Sequence, residues 1–311
     1  MKADSENTQE ADNQAERDLD AAELAERKQR RQQREEAERE AEQPDAALTQ
    51  TEREQVIAHR GLSAVAIYSV IRHEGEEELS RPAISLWWSG VAAGLGISTS
   101  VLAEAMLHDQ LTDSPYQHLI ENLGYTVDFC LVILSRLQLF TENTITVVLP
   151  ILARPRRRKF LQAAKLWGIV FTANMAGTFL AALLAIYAGT TTPALTESML
   201  EISRHFAESS GITALLLGIP AGFIIAALVW MLPSAKGTEL FVIMLFTYLI
   251  AACDFTHVIA GSNEVFLLVL NGEMNIITAI ADLIVPTLIG NIIGGTGLFA
   301  MLAYGQVHEE M

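Results

Sequence analysis

Cysteine is scarce in this chain of 311 residues: only Cys130 and Cys253 are present, each inside an apolar run. A disulfide-stapled secreted scaffold is therefore excluded, and both read as small core residues. His, Cys, Asp and Glu show no zinc- or iron-site spacing, so no metal and no cofactor is expected. A nucleophile–base constellation is missing. The GGTG stretch at 294–297 lies in an apolar run and lacks the lysine of a phosphate loop. An enzyme is not expected. The acidic, polar start predicts no signal peptide, and a net charge of −16 speaks against nucleic acid as a partner.

Positive charge is scarce and unevenly placed. Residues 1–55 carry 17 Asp/Glu and 9 Lys/Arg and no aromatic residue. They read as a charged cytoplasmic tail, disordered or helical, because too few apolar residues stand there to bury a face. Residues 56–82 carry Val56, Ile57, Val65, Ile67, Val70 and Ile71 at roughly helical spacing, which predicts an amphipathic cytoplasmic helix. Residues 83–305 hold six long apolar segments, at about 83–107, 119–153, 161–188, 211–233, 238–270 and 277–304. Runs of that length cross a bilayer. Trp87, Trp88 and Trp167 near segment ends read as interfacial anchors. Residues 306–311 form a short C-terminal tail.

Six spans place the loops 154–160 and 234–237 on one side, with Arg154, Arg156, Arg157, Arg158, Lys159 and Lys236. The loops at 108–118, 189–210 and 271–276 hold only Arg204. That asymmetry predicts both termini in the cytoplasm.

Segments two and five are overlong and are interrupted, at QLFTENT and at DFTHVIAGSNE. Asn174 with Gly177 in segment three matches Asn291 with Gly294 in segment six, and Gly90/Gly94 matches Gly218/Gly222. Three spans per copy is an odd number, so the copies insert with opposite orientation, as inverted repeats whose broken helices meet near the midplane. The predicted fold is all-α: a polytopic membrane protein of six helices in two inverted three-helix repeats, helices two and five broken. Unwound backbone is tolerated at membrane depth only where it lines a cavity or is buried in protein, and half-helix N-termini favour anions.

The stretches ENLGYTVDF…LQLFTENT, KLWGIVFTANMAG, LVWM, DFTHVIAG and PTLIGNIIGG, in this order, resemble the formate/nitrite transporter family, and within it the inner-membrane YfdC-like branch. The resemblance spans about residues 80–305. It implies an aquaporin-like protomer, a homopentamer, a bacterial inner-membrane location and a small anion as substrate. It places the family's central pore histidine on His257, its partner threonine on Thr141, and the asparagine of the sixth helix on Asn291. The constriction positions fall on Tyr125, Phe129, Leu139 and Phe140. Asn174 and Arg204 join the expected substrate path, Arg204 as an anion-attracting charge at the outer mouth. Asn291 reads equally, and Asn174 foremost, as hydrogen-bonding glue between helices. The chain departs from the family at Gly261 and Gly222, where the family has asparagine, at Ile250, where it has phenylalanine, and in lacking the lysine ahead of helix four. Arg136, Glu142 and Asp254 are expected to form a satisfied buried ion network.

The function expected is a channel or transporter for small monovalent weak-acid anions, formate, nitrite or similar, with possible proton coupling through His257. The alternatives are a neutral-solute channel on the same fold, and a membrane sensor or scaffold acting through its N-terminal tail.

Overall fold

Apolar helices broken by polar residues dominate the computed structural model, which describes residues 28–34, 49–52, 61–111 and 114–311. Residues Met1–Gly61 form a unit by themselves. Within it, the described residues 28–34 are exposed helix, and the remaining expectations for the charged tail lie outside the described residues. Leu62–Met311 is the second unit; a helix stands within the span predicted at 56–82, of which residues 56–60 lie outside the described residues. That helix, α1, runs Ala64–Ser80 and is capped by Ser63, whose hydroxyl accepts from Ala66 N at 3.2 Å.

Helix α2 spans Ala83–Gln110. Ser98, Thr99 and Ser100 each donate to a carbonyl three or four residues back, which loosens the helix ladder at its middle. Short helix α3 (Gln117–Glu121) leads to the first broken helix, α4 (Tyr125–Leu134) and α5 (Asn143–Ala153). Helix α6 (Arg157–Tyr187) closes the first repeat. Amphipathic helix α7 (Pro193–Glu208) connects to the second repeat: α8 (Ile212–Met231), the broken pair α9 (Glu239–Ala252) and α10 (Val258–Leu270), and α11 (Ile276–His308). Four of these helices are long and apolar enough to cross a membrane, and the shorter apolar pieces are the halves of the two broken ones. Their outer faces carry exposed Trp88, Phe241, Leu245, Ile277 and Leu302, a surface suited to lipid or to neighbouring subunits.

The repeats are held by the same device twice. A Cβ added at Gly94 would stand 2.2 Å from Asn174 O, and one at Gly222 would stand 2.2 Å from Asn291 O. Only glycine lets α2 meet α6, and α8 meet α11, this closely. At Gly222 the contact leaves no room for the asparagine that the family resemblance implied.

Both breaks also end their first half-helix alike. Leu137 N donates to Val132 O and Arg136 N to Ile133 O; Phe255 N donates to Ile250 O and Asp254 N to Ala251 O. This is a Schellman-type end, which puts its C′ residue in the left-handed region, normally glycine's place. Here Arg136 (φ 53°) and Asp254 (φ 55°) occupy it. The hydrogen-bond frame makes Leu139 the counterpart of His257. The second interruption is shorter than its polar sequence suggested: α10 is already helical from Val258.

Three local expectations are corrected. Cys130 is half-buried and Cys253 exposed, so neither is a core residue. Trp167 is no interfacial anchor: its Nε1 donates to Asn143 O at 3.1 Å and its ring packs on Phe140. Arg136, Glu142 and Asp254 form no common network. Arg136 reaches Glu74 on α1 at 2.9 Å, Asp254 reaches His205 on α7 at 3.2 Å, and half-buried Glu142 has one enclosed oxygen without a partner.

Candidate functional site

A buried asparagine clamps each break. Asn174 Oδ1 accepts from Phe140 N at 2.9 Å, while its Nδ2 donates to Gly90 O and Gln138 O, both at 2.8 Å. Asn291 Oδ1 accepts from Val258 N, and its Nδ2 donates to Gly218 O and Thr256 O, all at 2.9 Å. Both side chains are fully buried. Each therefore ties the unwound chain to two helices and satisfies amides and carbonyls that the break leaves orphaned. They position the site, and their own polar atoms are spent on the backbone.

The two breaks meet at Thr141 and His257. Thr141 Oγ1 lies 2.8 Å from His257 Nε2, and both residues are buried. His257 is also the N-cap of α10: its Nδ1 accepts from Ala260 N at 3.3 Å. With Nδ1 an acceptor, the proton of the neutral ring sits on Nε2 and donates to Thr141. The threonine hydroxyl hydrogen is then free to meet a passing acceptor. Among the N-terminal amides of α10, Val258 N and Ala260 N are thus already taken by side chains.

A cavity opens on each side of this pair. One, of about 490 Å³, lies at the end of the bundle that carries α1 and the basic loops; Glu74, Arg136, Gln138, Glu142, Asn143 and Lys236 are among its lining residues. The other, of about 160 Å³, lies at the α7 end, with Tyr125, His205, Phe206, Phe255 and Thr256 in its wall. Ring contacts lead from it toward the pair: Tyr125 to Phe129 at 5.4 Å, then Phe129 edge-on to His257 at 5.1 Å. Ile133, one turn beyond Phe129 on α4, lines the opposite cavity. Phe129, Leu139, Thr141 and His257, all buried, line neither.

The expected residues divide accordingly. His257, Thr141 and Phe129 come together, with Tyr125 at the edge of the smaller cavity. Phe140 turns its ring to Trp167 and Phe171 of α6. Arg204 is not among the residues of either cavity wall. It is bound by Glu273 at 2.7 Å and Glu197 at 2.9 Å. The hydrogen bonds from Arg204 hold the Glu273 carboxyl at about 2, well below its ordinary value. At Gly261, an added Cβ would stand 2.1 Å from the ring of Phe206. The phenylalanine thus occupies the space where the resemblance placed an asparagine side chain.

Two residues of the smaller cavity went unremarked in the sequence: Glu104 and Glu264. Their signal was available. Glu104 is a lone acid inside an apolar run and Glu264 closes the polar stretch that interrupts segment five, and ionisable residues within membrane segments default to a functional reading.

Inverted three-helix repeats, two broken helices clamped at mid-bundle and a polar pair between opposed cavities define an aquaporin-like membrane channel architecture. Comparison with known proteins carries this to a family. The family model described as formate/nitrite transporter matches residues 65–305, and this chain belongs to that family. The chain is similar to the inner membrane protein YfdC of Escherichia coli (strain K12), 39% identical over 248 residues and 80% of each chain. It is 24% identical over 273 residues to the formate channel FocA of the same organism, covering 79% of this chain and 94% of FocA. In fold it is similar to a solved pentameric formate channel with formate bound, at TM-score 0.63 and 19% identity over 73% of this chain and 98% of that one. An FNT family ion channel matches at TM-score 0.65 and 15% identity, over 77% and 98% of the two chains.

Proposed function

We propose that this protein is a multi-pass inner-membrane channel, assembled as a homopentamer, that passes small monovalent anions of weak acids such as formate or nitrite. The basic loops and both termini face the cytoplasm, which makes the 490 Å³ cavity the inner vestibule and the 160 Å³ cavity the outer one. One observation carries the reading: the buried Thr141–His257 pair, 2.8 Å apart, where the two helix breaks meet between the vestibules. A bare anion is strongly disfavoured among Phe129 and Leu139, since desolvating an ion is expensive. A hydrogen bond from the free Thr141 hydroxyl hydrogen, oriented by His257, offsets part of that cost, and a proton shared with the permeant removes more of it. Asn174 and Asn291 hold the geometry. The apolar outer faces of the helices suit both lipid and neighbouring subunits.

A neutral-solute channel is the second reading. It is favoured by the outer vestibule, whose described lining includes no lysine or arginine. Uptake by purified protein in proteoliposomes separates the two. The anion reading expects formate and nitrite flux with an anion-dependent current or quench; flux of uncharged solutes alone supports the alternative.

A further inference from the structure

The outer vestibule carries four carboxyl side chains, Glu104, Glu208, Asp254 and Glu264. Asp254 and Glu208 lie near His205, at 3.2 Å and 3.6 Å. Glu104 of α2 and Glu264 of α10 are different. Each is only 6% exposed, each opens into the cavity, and neither has a hydrogen-bond partner among the described residues. Carboxyl groups on side chains buried to that degree, with their oxygens turned to the cavity, call for hydrogen-bond donors, and the described protein groups around them supply none. The donor has to come from what enters the cavity. A carboxylate or nitrite without its proton brings acceptors only, and no fixed cation in the described lining offsets its charge.

We propose that Glu104 and Glu264 form the binding site at which the outer vestibule takes a weak acid together with its proton, so that acids which protonate are admitted and anions which do not are turned away. This rests on the reading that the chain passes weak acids, and it names what selects them. The proton comes from external water: anion and proton combine to the uncharged acid, whose O–H donates to one carboxyl oxygen of the pair. The pair is unchanged when the acid moves on toward Phe129 and His257.

Other titratable groups face this site from every side. Asp128 and Tyr125 stand on α4, Asp128 fully buried with one oxygen unpartnered. Asp254 and His257 stand at the second break, and His205 and Glu208 on α7. His108 of α2 joins Glu121 of α3 at 2.7 Å and Glu201 of α7 at 3.0 Å, and His118 of α3 lies 3.4 Å from Glu121. None of these is an arginine or lysine, so acidification acts on a rim of histidines and acids around a carboxyl floor.

The test uses the full chain, as wild type and as E104Q, E264Q and the double variant, which keep size and polarity. In proteoliposomes, formate uptake by the wild type is expected to rise as external pH falls, with chloride near background. In the double variant the acid-stimulated part is expected to fall about tenfold, the loss of roughly one charge-type hydrogen bond. In lipid nanodiscs, adding formate at acidic pH is expected to perturb a carboxyl infrared band that is absent from the double variant. Formate uptake without that band, or with unaltered pH dependence in the variants, overturns the site while leaving the channel function standing. The band without any formate uptake upholds the site and overturns the channel function.

Discussion

Replacing Asn291 by alanine removes the clamp on the second break and nothing else of size. Three hydrogen bonds of 2.9 Å are lost, to Val258 N, Gly218 O and Thr256 O, at a fully buried position. Interhelical hydrogen bonds in membranes average about 0.6 kcal/mol, which sets a floor near 2 kcal/mol for the three. The orphaned Val258 amide and the two carbonyls, enclosed in protein, raise the loss to about 5 kcal/mol. At about 2–4 °C per kcal/mol for a chain of this size, the melting temperature falls by roughly 4–20 °C. Asn291→Asp is nearly isosteric but cannot donate to the two carbonyls, so it is expected to lose most of the same stability. Thr172→Val, on the exposed face of α6 with only hydrogen bonds to its own helix, is the control. The measurement is thermal unfolding of purified protein in lipid nanodiscs, with uptake measured on the same samples. If Asn291→Ala melts with Thr172→Val, the clamp is not what holds the break, and the reasoning fails.

Further predictions concern other links in the chain from packing to transport. Gly94→Ala and Gly222→Ala each drive a methyl group into a facing backbone carbonyl, and each is expected to cost about 1–3 kcal/mol or more, whereas Gly168→Ala, with nothing within 4 Å, is expected to be neutral; melting temperatures decide. Arg204→Gln is expected to leave uptake unchanged, because Arg204 is engaged by two carboxylates outside both cavities, and partial exposure limits the pair's contribution to less than about 1 kcal/mol. The Glu273 carboxyl is held at about 2 against an ordinary 4.5, so the stabilisation from its pair with Arg204 is complete above about 4.5 and is lost as pH falls through about 2; the wild-type advantage over Arg204→Gln in thermal melts is expected to vanish across that window. Removal of residues 1–55 is expected to leave uptake intact, since the transport path lies wholly within the unit that begins at Leu62; loss of uptake would favour a signalling or gating role for the tail.

The six spans, the two interruptions and the repeat were legible in the sequence because bilayer length and small-residue spacing leave strong one-dimensional traces. The glycine pairs at 90/94 and 218/222 announced the close approach that the structure realises. What the sequence hid depends on contacts between distant segments. Asn174 and Asn291 could be read as path or as glue, and only the geometry shows both spending every donor on backbone carbonyls. Arg136 and Asp254 looked like partners of Glu142 because polar residues near a break invite pairing, yet they occupy equivalent left-handed turns that face opposite ends of the bundle. Trp167 sits where an interfacial anchor would sit, but its indole nitrogen donates to the Asn143 carbonyl at the start of α5. Glu104 stood out as a lone acid in an apolar run and Glu264 as the end of a polar interruption, while their shared cavity was not legible, because 160 residues separate them.

The central claim is that permeation passes between Thr141 and His257. Formate uptake into proteoliposomes as a function of external pH, for wild type and His257→Ala, tests it most directly. The account predicts uptake by the wild type and an altered pH dependence in the variant, because a proton can no longer be shared at the pair. Identical pH profiles and rates for the two proteins would contradict it.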